Sequence, residues 1–207
     1  DLGTAILVMG IFILMLFAGG VEKRLFGWFL GVCLAAMPFG WHILRPYQRD
    51  RLLVFLNPNI DPLGAGYTII QSKIAVGSGG LAGKGWLSGT QNQLNFLPVR
   101  HTVFIFSVIG EEWGLLGSIF VIGCYGLLIY CGFKIAESVK ERFGQFVTVG
   151  IVSILSLQVV INIGMVMGMF PVVGITLPLV SYGRTSFMVF AVMLGFLLNL
   201  SKKRSIF

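Results

Sequence analysis

Six cations, Arg45, Arg49, Arg51, Lys73, Lys84 and Arg100, lie in or beside the stretch from Pro46 to Val103, against only two acids, Asp50 and Asp61. Guanidinium and ammonium groups at this density hold phosphate and other anionic headgroups by charge-assisted hydrogen bonds. The stretch therefore reads either as a site for a phosphate-bearing lipid or sugar, or as a solvated loop on a protein of net charge +7. Within it, Gly79-Gly80-Leu81-Ala82-Gly83-Lys84-Gly85 imitates a nucleotide phosphate loop. Its spacing is one residue short, and Gly85 stands where a Ser or Thr would hold magnesium. No nucleotide site is expected; the glycines serve tight turns of the backbone against a helix or ligand.

The remaining polar candidates fall in apolar surroundings. Glu111 and Glu112 sit between Gly110 and Gly114. Adjacent glutamates point different ways on a helix, so they are read as a helix-junction cap or as partners of a base, with Arg184 the candidate base. Gln158 and Asn162 are one helical turn apart, a spacing suited to hydrogen bonding between membrane helices. Cys33, Cys124 and Cys131 all lie in apolar runs and read as small buried hydrophobes. The two histidines, His42 and His101, are far apart, and no zinc-ligand spacing exists, so no metal centre is expected.

The elements that must position these groups are set by composition. Charged residues make up only 11% of the chain and hydrophobic ones 56%, whereas soluble domains carry about 25% charged residues. The fold class expected is all-α: a polytopic membrane protein with about five transmembrane helices and a large extracytoplasmic loop. Since about 20 helical residues cross a hydrocarbon core, the spans are placed at 2–20, 25–43, 115–133, 146–170 and 179–200, with the loop at about 44–102. Thr102 to Ile109 is read as a separate short re-entrant or interfacial helix, cut off from the span that follows by residues 110–114. In the loop, Arg49 to Leu56 is expected along the membrane surface and Tyr67 to Val76 as a short helix bearing Gln71 and Lys73. Asn57-Pro58-Asn59 and Asp61-Pro62-Leu63-Gly64 are turn signals, and Gly77 to Gly89 is irregular. The short basic loops (Lys23-Arg24, 134–145, and the tail with Lys202, Lys203 and Arg204) vote for the cytoplasmic side, which puts the long loop outside. The chain starts in an apolar run with neither Met nor a signal-peptide pattern, as expected of a piece of a longer protein.

The run from Asp61 to Gly80, then Gly83-Lys84-Gly85-Trp86 and Gly89-Thr90-Gln91, resembles the SEDS family (RodA, FtsW, SpoVE), and its RodA branch most. Phe96-Leu97-Pro98, Arg100-His101-Thr102, Gly110-Glu111-Glu112, Asn162-Ile163-Gly164-Met165 and Leu177-Pro178-Leu179-Val180-Ser181-Tyr182-Gly183 carry the likeness across residues 1–207, as the C-terminal half of a SEDS-type membrane domain. The resemblance implies a multi-pass protein of the bacterial inner (cytoplasmic) membrane with a cytoplasmic C-terminus. It implies polymerisation of lipid II, a polyprenyl-pyrophosphate disaccharide-peptide, into glycan strands during cell elongation. A class B penicillin-binding protein is the implied partner, with membrane lipid and without nucleic acid. Lys73, Lys84, Arg100, His101 and Gln71 fall on the substrate side, the first three as pyrophosphate ligands. Glu111, Glu112, Ser181, Tyr182 and Arg184 take structural places. No covalent cofactor is implied; a divalent cation, magnesium or manganese, is the alternative to these bases for neutralising the leaving pyrophosphate.

Three positions depart from the family pattern. Where the family reads Leu-Pro-Glu-Arg-His-Thr-Asp-Phe, this chain reads Leu97-Pro98-Val99-Arg100-His101-Thr102-Val103-Phe104. Val103 stands at the position of the family's proposed catalytic Asp and Val99 at that of a Glu. Arg184 replaces the second glycine of Ser-Tyr-Gly-Gly. Valine cannot take a proton from a sugar hydroxyl. The expectation is a polymerase scaffold disabled at its catalytic position; the alternatives are a non-catalytic scaffold for the transpeptidase and a polyprenyl-lipid transporter.

Overall fold

A computed structural model describes residues 2–64, 66–94, 96–98 and 101–202. Its order is α1 (Leu2–Ala18), α2 (Lys23–Ile43), α3 (Pro46–Leu56), α4 (Tyr67–Ser78), α5 (Thr90–Gln93), α6 (Ile105–Ser138), α7 (Arg142–Val166) and α8 (Arg184–Lys202), with one 3-10 turn at Pro58–Ile60. Three described helices, α6, α7 and α8, are long and apolar enough to cross a membrane. Two shorter apolar stretches, Gly3–Ala18 and Arg24–Cys33, accompany them. The protein is therefore an all-α, multi-pass membrane protein with a large loop between α2 and α6.

α7 is the central post. α6 and α1 pack along it, α8 leans on both α6 and α7, and α4 lies across α6 and the end of α7. The helices approach closely where side chains are small, as membrane helices do in the absence of a hydrophobic drive between them. A Cβ on Gly132 of α6 would stand 2.4 Å from Val152 Cγ2 of α7. The buried core lies at the loop end of the bundle. Phe104, Phe106 and Tyr125 meet Val159, Met165 and Leu177 there, and Ala75 of α4 completes the contact.

The loop signals fold as their chemistry dictates. Pro46 occupies the first turn of α3, where its missing N–H costs nothing, and the Arg45 N–H donates to Gln48 Oε1 at 3.0 Å. Asn57 Oδ1 accepts from the Asn59 N–H and Asp61 Oδ1 from the Gly64 N–H, at 3.1 and 2.9 Å.

Three boundaries differ from the sequence reading. The short helix expected at 102–109 begins at Ile105 and runs on to Gly114, whose φ of 66° and ψ of −157° are non-helical, so that α6 (Ile105–Ser138) is two helical segments meeting at a kink there. α7 begins at Arg142 rather than 146 and stops at Val166, after which Gly168 at φ 71° turns the chain. α8 begins at Arg184, and residues 179–183 belong to the turn before it.

Candidate functional site

Two assemblies gather the polar residues, one on each side of the first turns of α6. The first is a strap, residues 79–93, folded over the bend. Leu115 N–H donates to Gly80 O and Leu116 N–H to Leu81 O, at 2.9 and 3.2 Å, while Lys84 and Gly85 N–H donate to Glu111 O and Glu112 O, both at 3.0 Å. The strap thus satisfies backbone groups that the bend frees on either side of Gly114. Such pairing requires backbone on backbone, and Gly83 supplies it: its φ is +79°, and a Cβ there would stand 2.1 Å from Glu112 O.

Glu111 is the latch. Its side chain is 0% exposed, and its carboxylate accepts from Lys84 Nζ (2.8 Å), Thr90 Oγ1 (3.2 Å), Gln91 N–H (3.0 Å) and Asn92 N–H (3.3 Å). A buried carboxylate persists only when paired and hydrogen-bonded, and here the strap delivers every one of those donors. Glu112 does the same on the next face, accepting from Leu87 N–H at 3.2 Å and Asn92 Nδ2 at 3.1 Å. Glu111 therefore pairs with Lys84, not with Arg184 as the sequence suggested. The charges suited either base; the glycine-rich turn brings Lys84 to the carboxylate, whereas Arg184 opens α8 elsewhere.

The second assembly clamps residues 101–104, the turn that leads into α6. Tyr182 N–H donates to His101 O at 2.8 Å. Ser181 Oγ donates to Thr102 O at 2.6 Å and accepts from the Leu177 N–H at 2.8 Å. Asn162 Nδ2 donates to Val103 O at 2.9 Å and Ile175 O at 2.7 Å. Tyr125 Oη donates to Pro178 O, tying the turn before α8 to α6. Three successive carbonyls are thus held by groups on α7 and on the turn before α8. Val103 itself is half-buried and packs on the core. Beside the clamp is an open groove of about 650 Å³ lined by His101, Ile105, Val180, Ser181, Tyr182, Gly183, Arg184 and Phe187. Among the described residues its lining carries a guanidinium and no carboxylate.

The residues singled out from the sequence thus separate. His101, Ser181, Tyr182 and Arg184 come together at the groove, with Val103 in the clamped turn. Lys84 is engaged with Glu111. Lys73, exposed on α4, lies against Gly168 beyond the end of α7, and Gln71 is half-buried on the same helix. Val99 and Arg100 lie outside the described residues. Gln158 and Asn162 do not act as a pair between helices: Asn162 bridges two turns of chain, and Gln158 Oε1 is buried with no hydrogen-bond partner. Among the described residues, no three His, Cys, Asp or Glu cluster as a metal site would require.

Sequence reasoning missed the Ser72–Ser107 hydroxyl contact (2.8 Å), in which Ser72 Oγ also bonds Val166 O at 2.8 Å, joining α4, α6 and α7. Two serines 35 residues apart give no local signal. It also missed the short α5, whose polar run Thr90-Gln91-Asn92 after Gly89 was the available cue. The clamp gives a direct prediction. Asn162→Leu strands two buried carbonyls and lowers stability by roughly 2–4 kcal/mol, read as a lower thermal midpoint in detergent. Ser181→Ala costs about half as much, because its two hydrogen bonds lie nearer the groove.

Comparison with known proteins follows the same residues. Residues 1–206 match the family model FTSW_RODA_SPOVE, described as "Cell cycle protein". The chain is 49% identical over 205 residues to the peptidoglycan glycosyltransferase MrdB of Escherichia coli (strain K12), covering 99% of this chain and 55% of that protein. It is 41% identical over 202 residues to the stage V sporulation protein E of Bacillus subtilis (strain 168), covering 98% and 55%. A solved structure described as "Structural coordination of polymerization and crosslinking by a peptidoglycan synthase complex" superposes with a TM-score of 0.77 at 36% identity, over 100% of this chain and 57% of that one. The chain spans about half the length of the curated relatives it matches.

Proposed function

This chain belongs to the FtsW/RodA/SpoVE family, and on that premise we propose that it is the membrane scaffold of a lipid II polymerase whose transfer chemistry is switched off at position 103. The observation that carries the proposal is the clamp. Three hydrogen-bonded carbonyls fix the 101–104 turn beside the groove, so the side chain at 103 has a defined place, and here it is a valine packed on the core. The valine at 103 cannot take the proton from an attacking sugar hydroxyl, and among the described residues the groove lining offers no substitute carboxylate. General-base catalysis of this kind contributes about 10²–10⁴ in rate.

The test uses the full-length protein. With purified lipid II, Val103→Asp combined with Val99→Glu and Arg184→Gly raises glycan synthesis at least about 10²-fold over the unaltered protein, read as polymer on a gel. Equal rates for the two proteins sink the proposal. Lys73 and Arg100 are the pyrophosphate ligands of this reading, with His101 and Gln71 on the substrate side; Lys84 reaches the substrate only through the ammonium face that Glu111 leaves open. A magnesium or manganese ion, if used, would be held chiefly by the pyrophosphate.

The topology that accompanies this reading has five crossings, supplied by α1, α2, the part of α6 after Gly114, α7 and α8. The basic turns at Lys23-Arg24 and 134–145 and the tail are then cytoplasmic, in a bacterial inner membrane. A second reading, a non-catalytic scaffold for a class B penicillin-binding protein, is favoured by the synthase complex among the similar structures. A pull-down that recovers a transpeptidase with both the unaltered and the restored protein supports it. The transporter reading would use Gln158, Asn162, Glu111 and Glu112 as a polar path; the last three are committed to the clamp and the strap, and Gln158 alone is left for it.

A further inference from the structure

The strap carries an apolar face that neither assembly uses. Leu81, Trp86 and Leu87 are 72, 69 and 61% exposed, and Trp113 of α6 stands beside them at 45%. The Trp86 and Trp113 rings meet at 5.9 Å with an interplanar angle of 55°. Leu87 is held in a left-handed conformation, φ 57°, a region a leucine rarely adopts. Glu112 Oε2 fixes its N–H, and Gln93 Nε2 donates to its carbonyl. Both backbone groups are thus tied down while the side chain projects outward.

The depth of this face follows from α6. From Leu115, just after the bend, to Phe133, just before Lys134, the helix rises about 29 Å, which matches a hydrocarbon core of about 30 Å. Its flank below the bend is apolar and exposed, with Leu115, Leu116, Ile119 and Phe120 between 49 and 66%. At the far end, Lys134 Nζ lies 5.6 Å from the Tyr130 ring centre, as befits a helix emerging into headgroups. Trp113 therefore sits at the opposite boundary of the core, and the strap's tryptophan and leucines lie beside it as a continuation of the lipid-facing flank. Indole rings partition to that boundary because one edge is apolar and the other donates a hydrogen bond.

We propose that the strap is a membrane-interface element: Trp86, Leu87 and Leu81 insert with Trp113 into the boundary between headgroups and acyl chains, so that the partner of this surface is the lipid bilayer. Phospholipid holds the strap at one depth, and with it the Lys84–Glu111 latch and the start of α6.

The test reads the depth of Trp86. The chain has four tryptophans, so Trp28→Phe, Trp41→Phe and Trp113→Phe leave Trp86 as the sole emitter. A parallel protein retains Trp113 instead and carries Trp86→Phe, which serves if the first fails to fold. Each is placed in phosphatidylcholine vesicles whose acyl chains are brominated either near the headgroup or near the chain end. Expected is quenching by the shallow-brominated lipid at least about twofold stronger than by the deep-brominated lipid or by aqueous acrylamide. Dominant acrylamide quenching puts the strap in water and overturns the proposal. Dominant deep quenching overturns the assigned depth. Protection from all three quenchers means that protein covers the face, and this also overturns it.

Discussion

Glu111→Ala is expected to release the strap and to lower the stability of the folded protein by roughly 3–5 kcal/mol, from the loss of four hydrogen bonds to a charged acceptor at once. The alanine removes the acceptor for four donors at once: Lys84 Nζ, Thr90 Oγ1 and the Gln91 and Asn92 N–H groups. Thermal unfolding in detergent reads the loss, and limited proteolysis locates it, with new cleavage between Gly79 and Gln93 while α6 and α7 stay intact. Glu111→Gln is expected to be milder. Its amide oxygen can take the Oε1 place and accept from Lys84, Thr90 and Gln91, but its NH2 then faces the Asn92 N–H. Lys84→Met leaves the fully buried carboxylate without its cation and should cost a comparable amount, offset in part by the three donors that remain. A Glu111→Ala protein that unfolds at the same temperature as the unaltered one means that Glu111 is not the latch. Combining Lys84→Met with Glu111→Gln should cost less than the sum of the two, as direct partners do.

Gly83→Ala is expected to have an effect of similar size by an unrelated route. Its backbone is left-handed, which costs a residue with a Cβ about 1–2 kcal/mol. The new atom would also sit 2.1 Å from Glu112 O, 2.4 Å from the carbonyl carbon and 2.6 Å from Trp113 N. These are backbone atoms of a helix and cannot step aside, so the strap must lift and lose the Lys84 and Gly85 N–H bonds to α6, for a total of about 3–4 kcal/mol. Gly80→Ala is the internal control. Gly80 is also left-handed, at φ +57°, but nothing lies within 4 Å of its added Cβ, so it pays about 1 kcal/mol for conformation alone. Thermal midpoints that fall equally for the two variants would show that contact with α6 contributes nothing at Gly83.

How much of this could be read from the sequence depended on how local each cause is. The membrane class follows from composition. The turns at Asn57 and Asp61 and the helix bearing Gln71 and Lys73 are local events, and they appear where residue chemistry put them. The bend of α6 was half legible. Gly110 through Gly114 marked the break, which falls at Gly114, but the partners of the helix-end groups it frees, the N–H and C=O groups of the strap, were not visible in the sequence. Lys84 was one of six cations, and charge alone could not choose it over Arg184 as the partner of Glu111. The choice is made by Gly83, through a close approach visible only once the two segments are side by side. Asn162 was noted for its polarity, but its task, holding Val103 O and Ile175 O, is shared between residues 59 and 13 positions away. The clamp was thus legible as a set of residues and illegible as a set of bonds.

The separation of 27 residues between Lys84 and Glu111 sets an order of assembly. Synthesis delivers the strap before the helix it clasps, so it waits with its backbone donors unpaired until Glu111 to Leu116 arrive. It can close only when the kink at Gly114 stands opposite Gly83. Insertion one turn too deep or too shallow displaces the acceptors of Lys84 and Gly85 by about 5 Å along the axis and leaves the strap open. Closure therefore depends on the register between the strap and α6.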